Sequence, residues 1–379
     1  MKIAFIGQKG IPTKQGGIEK HVEELSTRLA ERGFDITVYS RPYYSGNREK
    51  SYTYRGVKIV NLPSLKTKNL DAISHTFIAS VHALFQDYDI IHYHGVGPSL
   101  LSFIPRLFKP QTKVIATFHC IDRQHQKWGL FAKTMLAAGE WTACHFPHET
   151  IAISEILKKY CLYRFDKDVK HIPNGVSVAE KTDVNWLAKN DLEAKKYLVV
   201  VSRLIRHKGI HTLIEAYNKL KTDKKLVIVG DGANTDDYVG YVKKLAQDNS
   251  NIIFLGQKSG EELAAIFQNA YLFVQPSEAE GLSIALLEAM AYGVPAVISY
   301  IEENQEPAEG VAIEFINKSI DSLIEKLNYA LTHEVEIAEL AIKAQTRAKQ
   351  KYNWDDIAHD TADLYAKTAF LLTKPFLAK

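Results

Sequence analysis

Residues 197–209 have the sequence YLVVVSRLIRHKG, in which an apolar run leads into a positively charged loop. The run Tyr197–Ser202 has the length and the β-branched content of a buried strand, and a helical pattern begins at Ile210. The loop between them carries Arg203 and Lys208. A strand, a charged loop and a helix in this order predict a parallel α/β unit with an anion site at the carboxyl end of the strand.

Short apolar runs alternate with helical patterns along the rest of the chain. The strand candidates are Lys2–Ile6, Asp35–Tyr39, Val57–Asn61, Ile90–Tyr93, Lys113–Phe118, Thr150–Ile153, Tyr197–Ser202, Lys225–Val229, Ile252–Leu255, Leu272–Gln275 and Ala296–Ile298. The helix candidates are Ile18–Glu31, Ile210–Leu220, Asp237–Gln247, Glu261–Gln268 and Ser283–Tyr292. The alternation predicts an α/β protein with two doubly wound, Rossmann-like domains that face one another across a cleft.

A turn-forming segment, Pro173-Asn174-Gly175, separates the two halves of this pattern. The charged stretch that follows it lacks an apolar period, as is typical of a linker. A chain of 379 residues is also long enough for two domains. We therefore predict a first domain at residues 1–175 and a second domain at residues 176–353.

Two carboxylates stand eight residues apart in the second half, at Glu280 and Glu288. Ser283 is a good helix N-cap, so the amides of Gly281, Leu282 and Ser283 are expected to point at an anion. Eight residues along a helix span about 12 Å, which argues against a hydrolase with two cooperating carboxylates. With the two cations described above, this set suits a sugar nucleotide, although each cation alone could be an ordinary surface charge.

Glycines open the first predicted helix at Gly16 and Gly17. They allow backbone amides to approach an anion, and a simple tight turn is the other explanation. The loop does not match the G-x-G-x-x-G fingerprint, so a dehydrogenase is disfavoured. His119 closes the strand Lys113–Phe118, where it can bond a sugar hydroxyl or serve as a structural histidine.

Basic residues are concentrated in the first part of the chain, with 24 Lys and Arg against 15 Asp and Glu in residues 1–170 and 23 against 29 in the rest. Such a surface can face an anionic lipid or substrate, or be ordinary solvated charge. The sequence has no arginine-rich run or nucleic-acid module, so we expect no nucleic-acid partner. Three cysteines and no signal-peptide core indicate the cytoplasm.

Histidines recur at two close spacings, His92 with His94 and His145 with His148. Even with the nearby cysteines, these spacings match no compact zinc signature. We therefore expect no metal site.

Taken together and in order, these motifs resemble those of the retaining family-4 glycosyltransferases, which have the GT-B fold. Glu280 and Glu288 match the E-x7-E pattern, and Arg203 and Lys208 match the R-x4-K pair. The glycine-rich loop, the I-P-N-G-V hinge and the V-G-D-G segment are matched at Gly16-Gly17, Ile172–Val176 and Val229–Gly232. The resemblance covers residues 1–370 and is strongest to bacterial enzymes that build surface polysaccharides, including rhamnosyltransferase-like members. It also implies that the C-terminal helix, residues 354–379, packs on the first domain.

The resemblance implies a role for each of these residues. Arg203 and Lys208 would hold a diphosphate with the amides of Gly16 and Gly17 assisting, and Glu288 would bond the ribose. Glu280 and His119 would contact the donor sugar, so the catalytic candidates are Glu280, His119, Arg203 and Lys208. The other donor-site candidates are Ser202, Gly230, Gly256, Gln257, Lys258, Gly281, Leu282 and Ser283. The acceptor-side candidates are Asp122, Arg123, Lys127 and Trp128.

The implied function is transfer of a sugar from a nucleoside diphosphate sugar to a glycan acceptor, carried on a lipid, in bacterial cell-surface polysaccharide biosynthesis. Cations and helix amides supply the positive charge, so we expect no cofactor and metal-independent turnover. We expect a cytoplasmic protein that associates with the anionic inner face of the cell membrane. The membrane-facing candidates are Lys66, Lys68, Arg106, Lys109, Arg123 and Lys127.

Two other classes of function stay open. One is a sugar-nucleotide epimerase or a phosphorylase of similar fold, which would act without an acceptor or require phosphate. The other is a non-catalytic protein that binds a sugar nucleotide or a glycan.

Overall fold

The computed structural model describes residues 1–14, 16–47, 49–67, 70–124, 129–178, 185–232 and 235–370. The chain divides into two compact units. The first unit comprises Met1–Asn174 together with the chain from Trp354 onward, and the second unit comprises Gly175–Asn353. Each unit contains a mainly parallel sheet and helices, which confirms the predicted α/β class with two Rossmann-like domains.

The first unit is built on an eight-stranded sheet. Its strands are β1 (Lys2–Ile6), β2 (Asp35–Ser40), β3 (Ser51–Tyr54), β4 (Val57–Asn61), β5 (Ile90–His94), β6 (Lys113–Phe118), β7 (Glu149–Ala152) and β8 (Lys170–His171). Its described helices up to residue 174 are α1 (Gly17–Glu31), α2 (Pro42–Ser45), α3 (Asp71–Leu84), α4 (Val96–Ser99), α5 (Phe103–Phe108), α6 (Leu130–His145) and α7 (Glu155–Phe165). The strand order is β3-β4-β2-β1-β5-β6-β7-β8, and only the pair of β3 and β4 is antiparallel.

The central strand and the first helix supply the core of the first unit. Every residue of β1 after Lys2 is fully buried, as expected for a parallel strand that is covered on both faces. Val22 and Leu25 lie on the apolar face of α1 and pack in the same core as Ile3 and Phe5. The 3.6-residue period of α1 thus fixes which of its side chains point inward.

The second unit is built on a six-stranded sheet. Its strands are β9 (Tyr197–Val201), β10 (Lys225–Val229), β11 (Ile252–Gly256), β12 (Leu272–Gln275), β13 (Ala296–Ser299) and β14 (Ile313–Phe315). Its described helices are α8 (Asn185–Lys189), α9 (Ile210–Tyr217), α10 (Asp236–Ala246), α11 (Gly260–Asn269), α12 (Ile284–Ala291), α13 (Glu302–Ala308), α14 (Ile320–Thr332) and α15 (Glu334–Lys351). All neighbouring strands are parallel in the order β11-β10-β9-β12-β13-β14, which is a common doubly wound order.

The last described helix, α16 (Trp354–Phe370), belongs to the first unit. Trp354 and Tyr365 join the core to which α1 contributes, and Nε of Arg28 in α1 lies 3.1 Å from Oδ1 of Asp355. The remainder of the predicted C-terminal helix, residues 371–379, lies outside the described residues. No helix in the described part of the chain combines the length and the apolar character needed to cross a membrane.

Both sheets contain a topological switch point, where the strand order reverses. It lies between β1 and β5 in the first unit and between β9 and β12 in the second. Ligands of doubly wound folds bind at such points, outside the carboxyl ends of the strands. The chemistry of each unit is therefore expected in the loops that follow these strands.

Candidate functional site

The predicted cation loop lies at the switch point of the second unit. It leaves β9 at Ser202, forms one 3-10 turn at Arg206–Lys208 and leads into α9. Nζ of Lys208 lies 2.5 Å from Oε1 of Glu280, which follows β12 on the other side of the switch point. Both side chains are largely buried, with 14% and 8% of their surface exposed. The structure thus joins two of the predicted catalytic residues in a buried ion pair.

Two glycines allow the loops around this ion pair to approach one another closely. A Cβ atom at Gly209 would lie 1.9 Å from the carbonyl oxygen of Pro276, and one at Gly230 would lie 1.8 Å from that of Ser202. Both glycines also have positive φ angles, 67° and 133°, which other residues rarely adopt. Backbone contacts therefore hold the loops after β9, β10 and β12 together and place Lys208 beside Glu280.

A network of buried hydrogen bonds lies beside Glu280. Gln275, the last residue of β12, donates from Nε2 to Oδ1 of Asn304 at 2.8 Å, and the same nitrogen lies 3.5 Å from Oε1 of Glu280. Ser283 donates to Oε1 of Gln275 at 3.0 Å and accepts from the amide of Leu286, so it is the N-cap that the sequence predicts. Sequence reasoning missed Gln275 and Asn304. A polar residue that ends a buried strand is the signal that could have found Gln275.

Arg203 and Glu288 are placed differently from the buried pair. Arg203 is exposed, and its guanidinium makes no ion pair with any residue that the structure describes. Glu288 is half-buried in α12, more than one turn inside the N-cap. Gly281 and Leu282 lie between Glu280 and that N-cap. The loop that carries Lys208 therefore also presents exposed arginines, Arg203 and Arg206.

Several of the predicted donor-site residues follow three adjacent strands of the second unit. Ser202, Gly230 and Gly256 stand at the carboxyl ends of β9, β10 and β11, and the amide of Gly230 donates to the carbonyl of Gly256 at 2.8 Å. Gln257 and Lys258 come next in the chain, and Gln257 is exposed. These residues share one edge of the sheet with the cation loop, as parallel strands require.

The predicted glycine-rich loop joins β1 to α1 at the switch point of the first unit. Gly16 is the N-cap of α1, which begins at Gly17. The carboxylate of Glu19 lies against this N-cap, since a Cβ atom at Gly16 would lie 2.0 Å from its Oε2. Oε1 of Glu19 accepts from the amide of Lys9 at 3.1 Å. The positive end of α1 therefore already has a carboxylate beside it, and a phosphate would have to displace that group.

His119 lies in a cluster of buried histidines beside the same switch point. Its ring centroid is 4.8 Å from that of His21 in α1 and 5.6 Å from that of His94 at the end of β5. Burial lowers the pKa of His21 to about 4 and lowers the pKa of both His94 and His119 well below the usual value. All three rings are therefore neutral at pH 7. Sequence reasoning noted His94 and His119 but missed His21, which lies on the buried side of an amphipathic helix.

The described acceptor-side candidates make contacts within the first unit. Oδ1 of Asp122 accepts from the thiol two residues earlier at 3.3 Å. Arg123 donates from Nε to both carboxylate oxygens of Glu140, at 3.1 and 3.0 Å, and from Nη2 to the hydroxyl of Tyr160 at 2.9 Å. Glu140 is only 1% exposed, so Arg123 balances a buried charge. The other two candidates, Lys127 and Trp128, lie outside the described residues.

The histidines that suggested a zinc spacing have separate surroundings. Nδ1 of His92 lies 2.6 Å from the hydroxyl of Tyr365, and its Nε2 lies 2.7 Å from Oγ1 of Thr117. His145 is exposed. Nδ1 of His148 accepts a hydrogen bond from the backbone amide of Val114 in β6. The histidines that converge in the structure are instead His21, His94 and His119.

Two family models match this chain. The model described as Glycosyltransferase Family 4 matches residues 15–180, and the model described as Glycosyl transferases group 1 matches residues 185–351. Together they cover most of both units, including the Lys208–Glu280 pair. The chain belongs to the family-4 glycosyltransferases.

Relatives of this glycosyltransferase match over most of its length. It is 27% identical to the GDP-mannose-dependent alpha-mannosyltransferase of Corynebacterium glutamicum, over 86% of this chain and 76% of that protein. It is 24% identical to the phosphatidyl-myo-inositol mannosyltransferase of Mycobacterium tuberculosis, over 93% of this chain and 94% of that protein. The structure of Anabaena HepE in complex with UDP and glucose matches with a TM-score of 0.80 and 19% identity, covering 97% and 100% of the two chains. The glycosyltransferase therefore has the GT-B fold, as the motifs predicted.

Proposed function

We propose that this glycosyltransferase moves a hexose-type sugar from a nucleoside diphosphate sugar to a glycan acceptor with retention of anomeric configuration. The observation that carries the proposal is the buried Lys208–Glu280 pair at the switch point, with exposed Arg203 on the same loop. A planar guanidinium and a compact ammonium suit two adjacent phosphates. The complex of its structural neighbour HepE with UDP and glucose supports a nucleotide donor of this class.

Each charged side chain has a separate task in this proposal. Lys208 and Arg203 bind the diphosphate, and the amides around Ser283 add positive charge at the start of α12. Glu280 keeps Lys208 in position and accepts from a hydroxyl of the donor sugar. Glu288 bonds the ribose from the second turn of the helix. The nucleotide base of the donor contacts the carboxyl ends of β10 and β11, near Gly230 and Gly256.

The reaction needs no protein group as a general base. The bond between the anomeric carbon and the diphosphate oxygen breaks, and the acceptor oxygen bonds to the same face of that carbon. The proton of the acceptor hydroxyl passes to the leaving phosphate oxygen. Lys208 and Arg203 stabilise the charge that develops on the diphosphate, a preorganised electrostatic effect that is commonly the largest catalytic contribution. His119, being neutral, contacts the donor sugar through a hydrogen bond.

Metal-independent turnover is part of the proposal. The positive charge that a divalent ion would provide is available from Lys208 and Arg203. The two Asp-x-Asp runs of the sequence, residues 87–89 and 166–168, precede β5 and β8 and so lie at the amino ends of strands, opposite the expected ligand side. Turnover that persists in excess chelator supports this part of the proposal, and turnover that is abolished contradicts it.

The acceptor in this proposal is carried on a lipid, in bacterial cell-surface polysaccharide biosynthesis at the inner face of the membrane. The mycobacterial relative is named for a phosphatidyl-inositol substrate, which supports a lipid acceptor. Leu130 and Phe131, at the start of α6, are 84% and 80% exposed, and Lys133 beside them is exposed as well. Apolar side chains next to a cation are suited to an anionic lipid surface.

The prediction that Lys109 faces the membrane is wrong. Lys109 is buried, and its ammonium donates to the carbonyls of Leu84 and Gln86 at the end of α3. Lys66 is exposed beside the ring of Tyr43, at 5.3 Å. Lys68 and Lys127 lie outside the described residues. Binding to anionic vesicles at low salt, weakened in a Leu130→Gln, Phe131→Gln variant, is the expected result, and no binding contradicts the membrane proposal.

The proposed reaction is tested by mass spectrometry of products from a panel of nucleotide sugars, with and without a membrane-lipid extract as the acceptor source. We expect a glycosylated lipid and a released nucleoside diphosphate from one donor. An altered sugar nucleotide without acceptor would indicate an epimerase, and product that requires phosphate would indicate a phosphorylase. Donor binding without any product would indicate a binding protein.

A further inference from the structure

Three histidines from separate elements meet beside the switch point of the first unit. His21 comes from α1, His94 ends β5 and His119 follows β6. They have 3%, 1% and 5% of their surface exposed. Each offers a ring nitrogen within 4.8 Å of a ring nitrogen of both others. Among the described residues, no other group of three or more His, Cys, Asp or Glu side chains brings its possible ligand atoms this close together.

Hydrogen bonding leaves a free nitrogen inside the cluster. Nδ1 of His21 lies 2.9 Å from Oδ1 of Asn174, so Nδ1 carries the proton and Nε2 keeps a free lone pair. Nε2 of His21 is buried without a hydrogen-bond partner among the described residues. A buried polar atom without a partner costs roughly 1–3 kcal/mol, and an ion bound to Nε2 of His21 would remove that cost.

His92 shows how a purely structural histidine is satisfied in the same place. Its ring centroid is 4.2 Å from that of His94. Both of its nitrogens have partners, since Tyr365 and Thr117 lie 2.6 and 2.7 Å away. His21 and His94 differ from it, since each has one buried ring nitrogen without a partner among the described residues.

The spacing of the three rings fits a single tetrahedral ion. Zinc–nitrogen distances of about 2.0–2.1 Å place two ligating nitrogens about 3.4 Å apart. Nδ1 of His94 and Nε2 of His119 are 3.4 Å apart, which is long for a hydrogen bond. The three ring centroids are 4.8, 5.4 and 5.6 Å apart, and rings around such an ion are separated by roughly 5 Å. Side-chain rotation would have to bring the three nitrogens, which lie within 4.8 Å of one another, to this spacing.

We propose that His21, His94 and His119 bind one divalent transition-metal ion of the zinc class, with the fourth position open to water. Imidazole nitrogen suits zinc, copper and nickel, and three histidines with one open position are an established zinc ligand set. Asn174 orients His21 as the outer partners of metal-bound histidines do.

The bound ion inhibits the transferase, because it occupies His119, which is proposed to contact the donor sugar. This consequence rests on the proposed function, whereas metal binding does not. It is also compatible with metal-independent turnover, since a chelator would leave the rate unchanged or raise it.

Binding is measured with the full-length protein free of any polyhistidine tag. We expect one Zn²⁺ per chain by calorimetry, and Co²⁺ should give the visible absorption of a four-coordinate ion. His21→Gln should weaken binding by more than about 100-fold, and Asn174→Ala by roughly 10- to 100-fold. His145→Gln, an exposed histidine outside the cluster, is the matched control and should bind as the wild type does.

A second ligand variant keeps the proposal testable if His21→Gln does not fold. His119→Asn removes another ligand, and thermal unfolding with and without Zn²⁺ reports folding and binding together, because a bound ion raises the stability of the folded state. The absence of stoichiometric binding to the wild type overturns the proposal. Unchanged binding in the folded ligand variants overturns it as well.

Inhibition separates this proposal from the proposed function. In the transfer assay, Zn²⁺ at concentrations that fill the site should inhibit the wild type, and His21→Gln should need about 100-fold more Zn²⁺ for the same inhibition. Metal binding without transfer by any donor would contradict the transfer function and support the site. Transfer that continues with the site filled would contradict the inhibitory role of the ion at His119.

Discussion

The two units follow the same structural plan and carry different chemistry. In each unit, a glycine of the loop after the first strand lies against the carboxyl end of the strand across the switch point. A Cβ atom at Gly7 would lie 2.5 Å from the carbonyl of His94, the last residue of β5, and one at Gly209 would lie 1.9 Å from that of Pro276, which follows β12. Beside Gly7 the first unit buries neutral histidines. Beside Gly209 the second unit holds the largely buried Lys208–Glu280 pair.

The difference shows how one fold supports two kinds of recognition. The doubly wound sheet brings the loops together, and only the side chains on those loops decide whether the place holds charge. A paired and an exposed cation suit a diphosphate, and neutral ring nitrogens suit hydroxyl groups or a metal ion.

Removing the buried cation of the second unit should have the largest effect. Lys208→Ala should reduce kcat/KM for transfer by about 2–4 kcal/mol, or 10²- to 10³-fold, by analogy with the loss of one oxyanion donor. The matched control is Lys225→Ala, since Nζ of Lys225 also lies 2.5 Å from a carboxylate, that of Asp191, but at the amino end of β10. If steady-state kinetics show that Lys208→Ala loses no more activity than Lys225→Ala, the cation site is elsewhere.

Breaking the close approach of loops in the second unit should destabilise that unit. Gly209→Ala places a Cβ atom against the backbone at a φ of 67°, so we expect a loss of about 2–3 kcal/mol in the free energy of unfolding. Gly240→Ala is the control, because Gly240 lies in α10 with nothing within 4 Å of its added Cβ, and it should be neutral or stabilising. Equal stability of the two variants in urea unfolding would show that the backbone contact is not needed.

Acid should lower the stability of the first unit, because its buried histidines must take up protons. His75 is one of these and lies outside the cluster of His21, His94 and His119. Burial and the nearby Arg41 lower the pKa of His75 to about 4. In the unfolded chain the pKa is about 6.5, so the unfolded state binds more protons between these values and stability falls as the pH drops from 6.5 towards 4. The cost at pH 5 should be on the order of 2 kcal/mol.

Hydrogen exchange of peptides from α3 at pH 7.5 and pH 5, corrected for the intrinsic exchange rate, measures this cost. His75→Gln should show a smaller loss of protection on acidification than the wild type. An equal loss in both proteins would mean that the titration of His75 does not contribute.

Removing Arg203, an exposed cation of the loop after β9, should have the smallest effect. Arg203→Ala should weaken binding of the nucleoside diphosphate by about 1 kcal/mol, or roughly fivefold, because the guanidinium is exposed to solvent. Arg206→Ala removes a neighbouring exposed arginine from the same loop and should change affinity less. A larger effect at Arg206, measured by calorimetry, would exchange the roles of the two residues.

Much of the sheet could be predicted because buried parallel strands are continuous apolar runs. The bounds of Lys2–Ile6, Lys113–Phe118 and Leu272–Gln275 agree with the structure to the residue. Ser51–Tyr54 was missed because it is a half-exposed edge strand with an alternating and weak apolar pattern. Three-residue Ile313–Phe315 was missed because it is too short to show a period.

The site was predictable where charge was concentrated in one loop and unpredictable where distant residues converge. The cation loop and Glu280 could be found because their spacing places them at strand ends. The meeting of His21 with His94 and His119 depends on which helix face covers which strands, and spacing in the chain does not encode that. Likewise, no motif links Gln275 to Asn304, whose contact depends on the packing of α13 beside β12.

The central claim is that the loop cations of the second unit hold the diphosphate of a nucleotide sugar. Calorimetric titration of UDP, GDP, dTDP and ADP into the wild type and into an Arg203→Ala, Lys208→Ala variant tests it most directly. We predict that one nucleotide binds the wild type with micromolar affinity and that the double variant loses this binding. Failure of all four nucleotides to bind, or equal binding by the variant, would contradict the claim.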